Sequence, residues 1–247
     1  MIKNIIFGIH SVEAILRRHP ERVTHLCVAK ERRDKKLDAL LHLAKKHDIS
    51  VEETSRQALD RMTADANHQG VVAHCTKSEA LSEHDLPELI SNLSTPPFLL
   101  ILDGVQDPHN LGACFRTADA AGVHAIIAPK DKSVGITPVV SKVASGAAET
   151  IPFVQVTNLA RALEQIKELG IWIYGAAGEA EKSVFQTDLK GAIAIAMGAE
   201  GEGLRRLTRE HCDGLIRIPM SGSVSSLNVS VATGICLFEV VRQRGKN

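Results

Sequence analysis

Residues 98–130, FLLILDGVQDPHNLGACFRTADAAGVHAIIAPK, decide the architecture. FLLILDGV opens with a five-residue apolar run and reads as a buried strand, and HAIIAPK, apolar over AIIAP, reads as another. Residues 111–121 between them read as a helix. Strand, helix and strand in that order, with both strands mainly apolar, predict parallel pairing inside a covered sheet. The alternation continues outward. Residues 138–146 read as a helix, 153–156 as a strand and 159–169 as a helix. WIYGAA, AIAIAMG and LIRIPM are three further strands, and residues 229–241 a closing helix. The expected class is α/β, with a mainly parallel sheet flanked by helices over residues 98–247.

Toward the N-terminus the pattern is smaller in scale. A short strand-like run precedes Gly8-Ile9-His10-Ser11, which leads into the helical VEAILRR. Residues 23–29, 49–53 and 71–75 read as strands. Residues 35–47 carry Leu37, Leu40, Leu41 and Ala44 at helical spacing, and 56–62 form another helix. This predicts a small α/β domain over residues 1–76. Residues 77–97 are polar and acidic, contain a possible short helix and end in Thr95-Pro96-Pro97, which makes them the expected linker.

Bulk composition narrows the class. With 44% hydrophobic residues but only 3% aromatics, the core must be aliphatic and alanine-rich. No run of eighteen apolar residues suggests a membrane span, and MIKNIIFGIH lacks the apolar stretch and cleavage site of a signal peptide. Cys27, Cys75, Cys114, Cys212 and Cys236 are scattered without a CxxC pair. That pattern predicts reduced thiols in the cytoplasm and no metal site. Net charge is zero, so overall charge does not argue for a nucleic-acid partner. Residues 1–76 hold 13 Lys+Arg against 10 Asp+Glu, and seven of the eleven histidines, which is compatible with a local basic face. The densest cationic cluster, Arg32-Arg33-Asp34-Lys35-Lys36, is either a solvated helix start or a phosphate contact.

In parallel sheets ligands bind beyond the carboxyl ends of the strands. Ala176-Ala177-Gly178, Gly198 and Ile218-Pro219-Met220 follow three predicted strands, so a cofactor is expected there. Three segments carry candidate chemistry: DGVQDPHNLGACFRTADAAG (103–122), MGAEGEGL (197–204) and SVSSLNVSVA (223–232). Asn110 and Arg116 are six apart and border one pocket if Asn110 caps its helix; otherwise they are an N-cap and a solvated arginine. Glu200 lies among Gly198, Gly201 and Gly203, in either an ordinary loop or one that lets backbone approach a ligand. Glu202 is expected in water, in the first turn of the following helix. Ser226 and Asn228 precede a helix, as a plain capping turn or a substrate-holding one. His109 is an alternative base. No GxSxG elbow surrounds Ser226, and no GxGxxG follows the first strand, which argues against acyl-enzyme and dinucleotide chemistry.

In order and spacing, these three segments resemble the signature motifs of the SpoU-type (TrmH-like) ribose 2′-O-methyltransferases of the SPOUT superfamily. The resemblance spans the chain. It implies S-adenosylmethionine (SAM) as cofactor, a trefoil knot in the C-terminal domain, and a homodimer formed through that domain. His68-Gln69-Gly70 and Gly8-Ile9-His10 resemble elements of the family's N-terminal RNA-binding domain, which is similar to ribosomal protein L30e. His10, Arg32, Arg33, Lys35 and His68 are the expected RNA contacts. By resemblance Arg116 is essential to catalysis, with Asn110, Glu200, Ser226 and Asn228 around the substrate. Gly198, Ile218, Met220, Leu227 and the turn from Ala176 to Gly178 hold SAM. The family has assigned an arginine here as general base, but a guanidinium keeps its proton to a pKa above about 12. Clamping a phosphate and stabilising the forming alkoxide is the role expected of it. Within the family the likeness is greatest to enzymes acting on a guanosine in the peptidyl-transferase region of 23S rRNA. A tRNA ribose methyltransferase is the alternative, and a non-catalytic L30e-like RNA-binding protein the alternative of another class.

Overall fold

The structure, a computed structural model, describes residues 4–76 and 81–245. Along the chain run β1 (Asn4–Phe7), α1 (Ile9–Arg18), β2 (Val23–Ala29), α2 (Lys35–Lys46), β3 (Ser50–Thr54), α3 (Arg56–Thr63) and β4 (Val71–Cys75). Then come α4 (Leu86–Ser91), β5 (Phe98–Asp103), α5 (Pro108–Ala121), β6 (Ala125–Pro129), α6 (Pro138–Val143), β7 (Phe153–Val156) and α7 (Leu159–Glu168). The last elements are β8 (Trp172–Ala176), β9 (Lys182–Ser183), β10 (Ile193–Gly198), α8 (Arg206–His211), β11 (Gly214–Arg217) and α9 (Val229–Gln243). Two compact units result. One holds the described part of Met1–Glu79 together with Ile136–Thr150, the other that of Ala80–Gly135 together with Ile151–Asn247.

The first unit is built on a four-stranded sheet ordered β1-β4-β2-β3, antiparallel except for the β2–β3 pair. Side chains alternate across a strand, so β1, β2 and β4 each feed two cores, while β3 is mostly exposed. Leu26, Val28, Val71 and Ala73 pack with Val12, Ile15, Leu16, Leu37 and Leu40 on one face. Cys27, Ala29 and Val72 pack with Phe7 and Leu59 on the other. Asp34 caps α2 by accepting from the Lys36 and Leu37 amides, and Ser55 caps α3 by accepting from Ala58.

Residues 136–150 join this unit, which corrects the reading of 98–247 as one uninterrupted domain. Thr137 caps α6, and the expected helix to residue 146 stops at Val143 because Ser145 and Gly146 are left-handed. Gly146 is required there: a Cβ would meet the Ala14 Cβ at 2.8 Å and the His10 carbonyl oxygen at 2.9 Å. The Ser11 hydroxyl donates to the Ser141 carbonyl (3.2 Å), and Arg22 pairs with buried Glu149 (3.5 Å). Burial pushes the Glu149 carboxyl above its usual range, against the pull of Arg22.

The second unit is a seven-stranded, wholly parallel sheet ordered β7-β6-β5-β10-β8-β11-β9. Leu99, Ile101, Ile127, Val154, Ile173 and Ala194 face α4 and α7. The alternate residues Leu100 and Ile195 are also fully buried, and α9 packs on β10 and against α5. Residues 81–97 are part of this unit and not a free linker. Leu86 and Ile90 lie in its core, and the Gln155 amide donates to the Leu81 carbonyl (2.9 Å). Positions 77–80 of the expected linker lie outside the described residues. Short α8 begins only at Arg206, so exposed Glu202 sits in the preceding loop and not in a first helical turn. Among the described residues no helix is long and apolar enough to cross a membrane.

Candidate active site

β5 has β6 on one side and β10 on the other, so the order reverses between β5 and β10 and leaves a crevice at their carboxyl ends. Asp103 closes β5 there, fully buried. Its carboxylate accepts from the Arg205 amide (2.9 Å) and pairs with the Arg205 guanidinium, latching the loop after β10 to the end of β5. That loop turns back on itself: the Gly203 amide donates to the Ala199 carbonyl (2.9 Å), with Gly201 and Gly203 left-handed. The turn leaves no room at Gly198, where a Cβ would lie 2.0 Å from the Gly203 carbonyl carbon.

Three side chains from the three motifs meet at this point. Asn110 Nδ2 donates to Glu200 Oε2 (3.3 Å). Asn228 Nδ2 donates both to Asn110 Oδ1 (2.9 Å) and to Glu200 Oε1 (3.2 Å). Asn228 is also the cap of α9, its Oδ1 accepting from the Ser230 amide (2.9 Å) and hydroxyl (2.6 Å). Each amide is therefore oriented by its neighbours, and the ring holds one carboxylate facing two amides. Asn110 is not itself a cap. Asp107 takes that place by accepting from the His109 amide (2.8 Å), Pro108 starts α5, and Asn110 falls in the first turn, buried.

The expected cofactor residues lie at neighbouring strand ends. Ala176 closes β8, the Ala177 amide donates to Ile216 of β11 (2.9 Å), and Gly198 closes β10 on the other side of β8. A Cβ at Gly178 would meet nothing within 4 Å. Ile218 and Leu227 are half-buried and Met220 is 38% exposed, so apolar side chains stand open to solvent beyond these strands. Small residues, open space and apolar walls fit an adenine-bearing ligand such as SAM.

Arg116 and Ser226 are not in the ring. Both are exposed, and among the described residues neither has a hydrogen-bonded or ionic partner through its side chain. His109 is exposed too. The Asp103–Arg205 latch lies outside the residues expected to carry chemistry; its signal in the sequence is an aspartate ending an otherwise apolar strand.

In the first unit, His10, Arg33 and Lys35 are exposed and Arg32 is half-buried. His68 is not at the surface. It is 1% exposed, its Nδ1 accepts from the Gly70 amide (2.9 Å) and its Nε2 faces Asp60 (2.9 Å), so both nitrogens are engaged internally. This corrects its expected contact with RNA. His25, Cys27 and His74 also cluster, but the two imidazoles stack at 4.1 Å and 8°, and parallel rings do not aim their lone pairs at one ion.

Residues 97–238 match the model of the SpoU rRNA Methylase family, and residues 5–81 that of the RNA 2′-O ribose methyltransferase substrate-binding family. The chain is 61% identical over 242 residues to the 23S rRNA (guanosine-2′-O-)-methyltransferase RlmB of Shewanella oneidensis, covering 98% of each. It is 55% identical over 243 residues to the RlmB of Escherichia coli, covering 98% of this chain and all of that protein. In fold it is similar to the SpoU methyltransferase AviRb from Streptomyces viridochromogenes, solved with AdoMet, at 23% identity and TM-score 0.82, covering 99% of this chain and 92% of that one.

Proposed function

The chain belongs to the SpoU rRNA methylase family, and on that footing we propose that it transfers the methyl group of SAM to the ribose 2′-hydroxyl of a guanosine in 23S rRNA. The observation that carries the proposal is the Asn110–Glu200–Asn228 ring, one residue from each motif, at the reversal of strand order. The target we assign lies in the peptidyl-transferase region.

The crevice beyond β8, β10 and β11 would hold the cofactor, with Gly198, Ile218 and Leu227 giving main-chain contacts and Met220 and the turn from Ala176 to Gly178 lining it. When bound, SAM supplies an electrophilic methyl carbon. The protein must bring a weakly acidic hydroxyl into line with it and stabilise the alkoxide that forms. The ring offers fixed amides and a carboxylate to orient the ribose. Ser226, on the same approach to α9, positions the hydroxyl. Among the described residues Arg116 has no hydrogen-bonded or ionic side-chain partner, and so it can grip the neighbouring phosphate, lowering the cost of negative charge on the attacking oxygen. The phosphate itself assists in removing the proton.

The working form we propose is a homodimer through the second unit, with both protomers shaping each RNA site. Val231 and Phe238 stand exposed on one side of α9, which packs against α5, where a Cβ at Gly234 would meet the methyl of Thr117, the neighbour of Arg116, at 3.6 Å. The trefoil knot is part of the same reading, as is an L30e-like first unit. The C-terminal end of α9 is tied in: the Gln243 side chain donates to the Thr187 carbonyl and accepts from the Leu189 amide, both at 2.9 Å. The five free cysteines suit the cytoplasm.

The deciding experiment offers labelled SAM with unmodified 23S rRNA and with total tRNA, and maps the product. A single 2′-O-methylguanosine in 23S rRNA is expected. Label only in tRNA would overturn the target, and absence of SAM binding would overturn the enzymatic reading.

A further inference from the structure

The first unit carries a cleft of about 650 Å³ at the end of β2, lined by Glu31, Arg32, Arg33, Arg56, Gln69 and Gly70 among others. Its three guanidinium groups are in three different states. Arg32 is fixed: Nε donates to Asp34 (2.6 Å) and Nη1 to the Gln69 carbonyl. Two edges of its fork are used, so the open face of the plane is what it offers a ligand. Arg33 pairs with Glu53 (3.1 Å), but both side chains are mostly in water, and such a pair exchanges readily. Arg56 is exposed and has no hydrogen-bonded or ionic side-chain partner among the described residues.

The floor is rigid. Gln69 and Gly70 are consecutive left-handed residues with φ of 53° and 76°. Buried His68 holds the Gly70 amide, Asp60 holds His68, and the Gln69 side chain accepts from the Ile9 amide (3.0 Å). A Cβ at Gly70 would sit 3.0 Å from Arg32 Cδ, so the turn and the Arg32 plane are pressed together. Held in this way, the site needs little ordering when a ligand arrives.

A bare phosphate is a poor match, because exposed Glu31 and Asp34 stand in the same cleft. A nucleotide uses every feature. Its base stacks on a guanidinium plane, its phosphate takes a free arginine, and an amino-bearing base edge can donate to Glu31. The volume suits a ligand of that size. We propose that this cleft holds one unstacked nucleotide of the RNA substrate, with the base on Arg32 and the phosphate on Arg56 and Arg33. His68, through the turn it holds, is a positioning residue for it. The proposal rests on the reading of the chain as an rRNA methyltransferase whose first unit binds substrate.

The test uses the full chain, a fluorescein-labelled single-stranded RNA heptamer for affinity, and unmodified 23S rRNA for methyl transfer. Arg56→Gln is compared with Arg61→Gln, an equal charge change on α3 outside the cleft lining. Arg56→Gln should weaken heptamer binding about tenfold, flatten the slope of log Kd against log salt by about 0.7, and raise KM for rRNA with kcat unchanged. Arg61→Gln should stay within about twofold. Arg32→Lys, which keeps the charge but not the plane, should weaken binding about tenfold. Equal losses in Arg56→Gln and Arg61→Gln would overturn the site in favour of a diffuse basic face. Displacement of the heptamer by millimolar inorganic phosphate would overturn the nucleotide assignment. An unaltered parent chain that methylates no rRNA would sink the methyltransferase reading; a parent that methylates while Arg56→Gln keeps the same KM would sink the cleft alone.

Discussion

Replacing Gly198, Gly201 and Gly178 by alanine, one at a time, separates three effects that usually travel together. At Gly198 the backbone is not left-handed, so the only obstacle is space. The new methyl would lie 2.0 Å from the Gly203 carbonyl carbon and 2.2 Å from the Leu204 nitrogen. Carbon contacts relax near 3.5 Å, so the returning arm of the loop must retreat by roughly 1.5 Å. It cannot swing freely, because Arg205 is latched to buried Asp103. Overpacking costs about 1–3 kcal/mol, and an obstacle made of backbone belongs at the upper end. Glu200 rides on this loop, and a shift of about 1 Å in a positioning group costs about 100-fold in turnover. Gly201 is the opposite case, with φ of 82° and nothing within 4 Å of a Cβ. Its alanine variant should lose about 1–2 kcal/mol to backbone strain while keeping most activity. Gly178 has neither constraint, so its variant should melt like the parent while SAM affinity falls at least about tenfold. Thermal melts, calorimetric SAM titration and single-turnover methyl transfer give the three readouts. A Gly198→Ala protein of parental activity would refute the loop argument, and a Gly178→Ala protein of parental SAM affinity would refute the cofactor placement.

The other expectations are shorter. Asn228→Asp keeps the oxygen that caps α9 but replaces both donated hydrogen bonds with a second carboxylate beside Glu200, so transfer should fall by more than about 100-fold with the helix intact. Asn228→Ala should lose, in addition, about 1 kcal/mol of stability in a denaturant titration. Arg116→Ala should abolish transfer with SAM affinity within a few-fold, and Arg116→Lys should not restore it, because an ammonium lacks the planar fork; turnover at the parental rate would remove Arg116 from the mechanism. Burial pushes the Cys75 and Cys236 thiols up to about 12 and Cys114 to about 11, from an ordinary value near 9. The native protein keeps protons that the unfolded chain releases, so stability should decline as pH rises from about 9 toward 11–12. Melts at pH 8 and pH 10 check this, and an unchanged Tm would contradict it.

Runs of buried apolar residues made the strands legible: 23–29, 71–75 and 153–156 match β2, β4 and β7 residue for residue. Period-two burial and strand length are local properties, and the sequence states them directly. The fate of residues 81–97 and 136–150 is not local. Proline and acidic residues make the first look like a tether, yet Leu86 and Ile90 are enough to bury it. The second is fixed by the fit of Gly146 against Ala14 and His10, more than 130 positions away, which no window of sequence contains. His68 is a further case: the family resemblance of His68-Gln69-Gly70 marks it as an RNA contact, and only the position of Asp60 shows that it is an internal strut.

The placement of Arg116 follows from helix geometry once Asp107 is known to be the cap. Six residues at 3.6 per turn set Asn110 and Arg116 about 120° apart around α5, so a helix that aims Asn110 into the ring cannot aim Arg116 there as well. The ring therefore contains a carboxylate and two amides but no cation, although its substrate is a polyanion. Bringing RNA to such a site costs electrostatic work unless a guanidinium meets the phosphate from outside. Arg116 is exposed and, among the described residues, has no hydrogen-bonded or ionic side-chain partner, so it is available to do so. A residue left without internal partners while its motif neighbours are tightly bonded is thus what the mechanism requires. The same reasoning explains why Arg116→Ala is expected to leave SAM binding nearly untouched while transfer is lost.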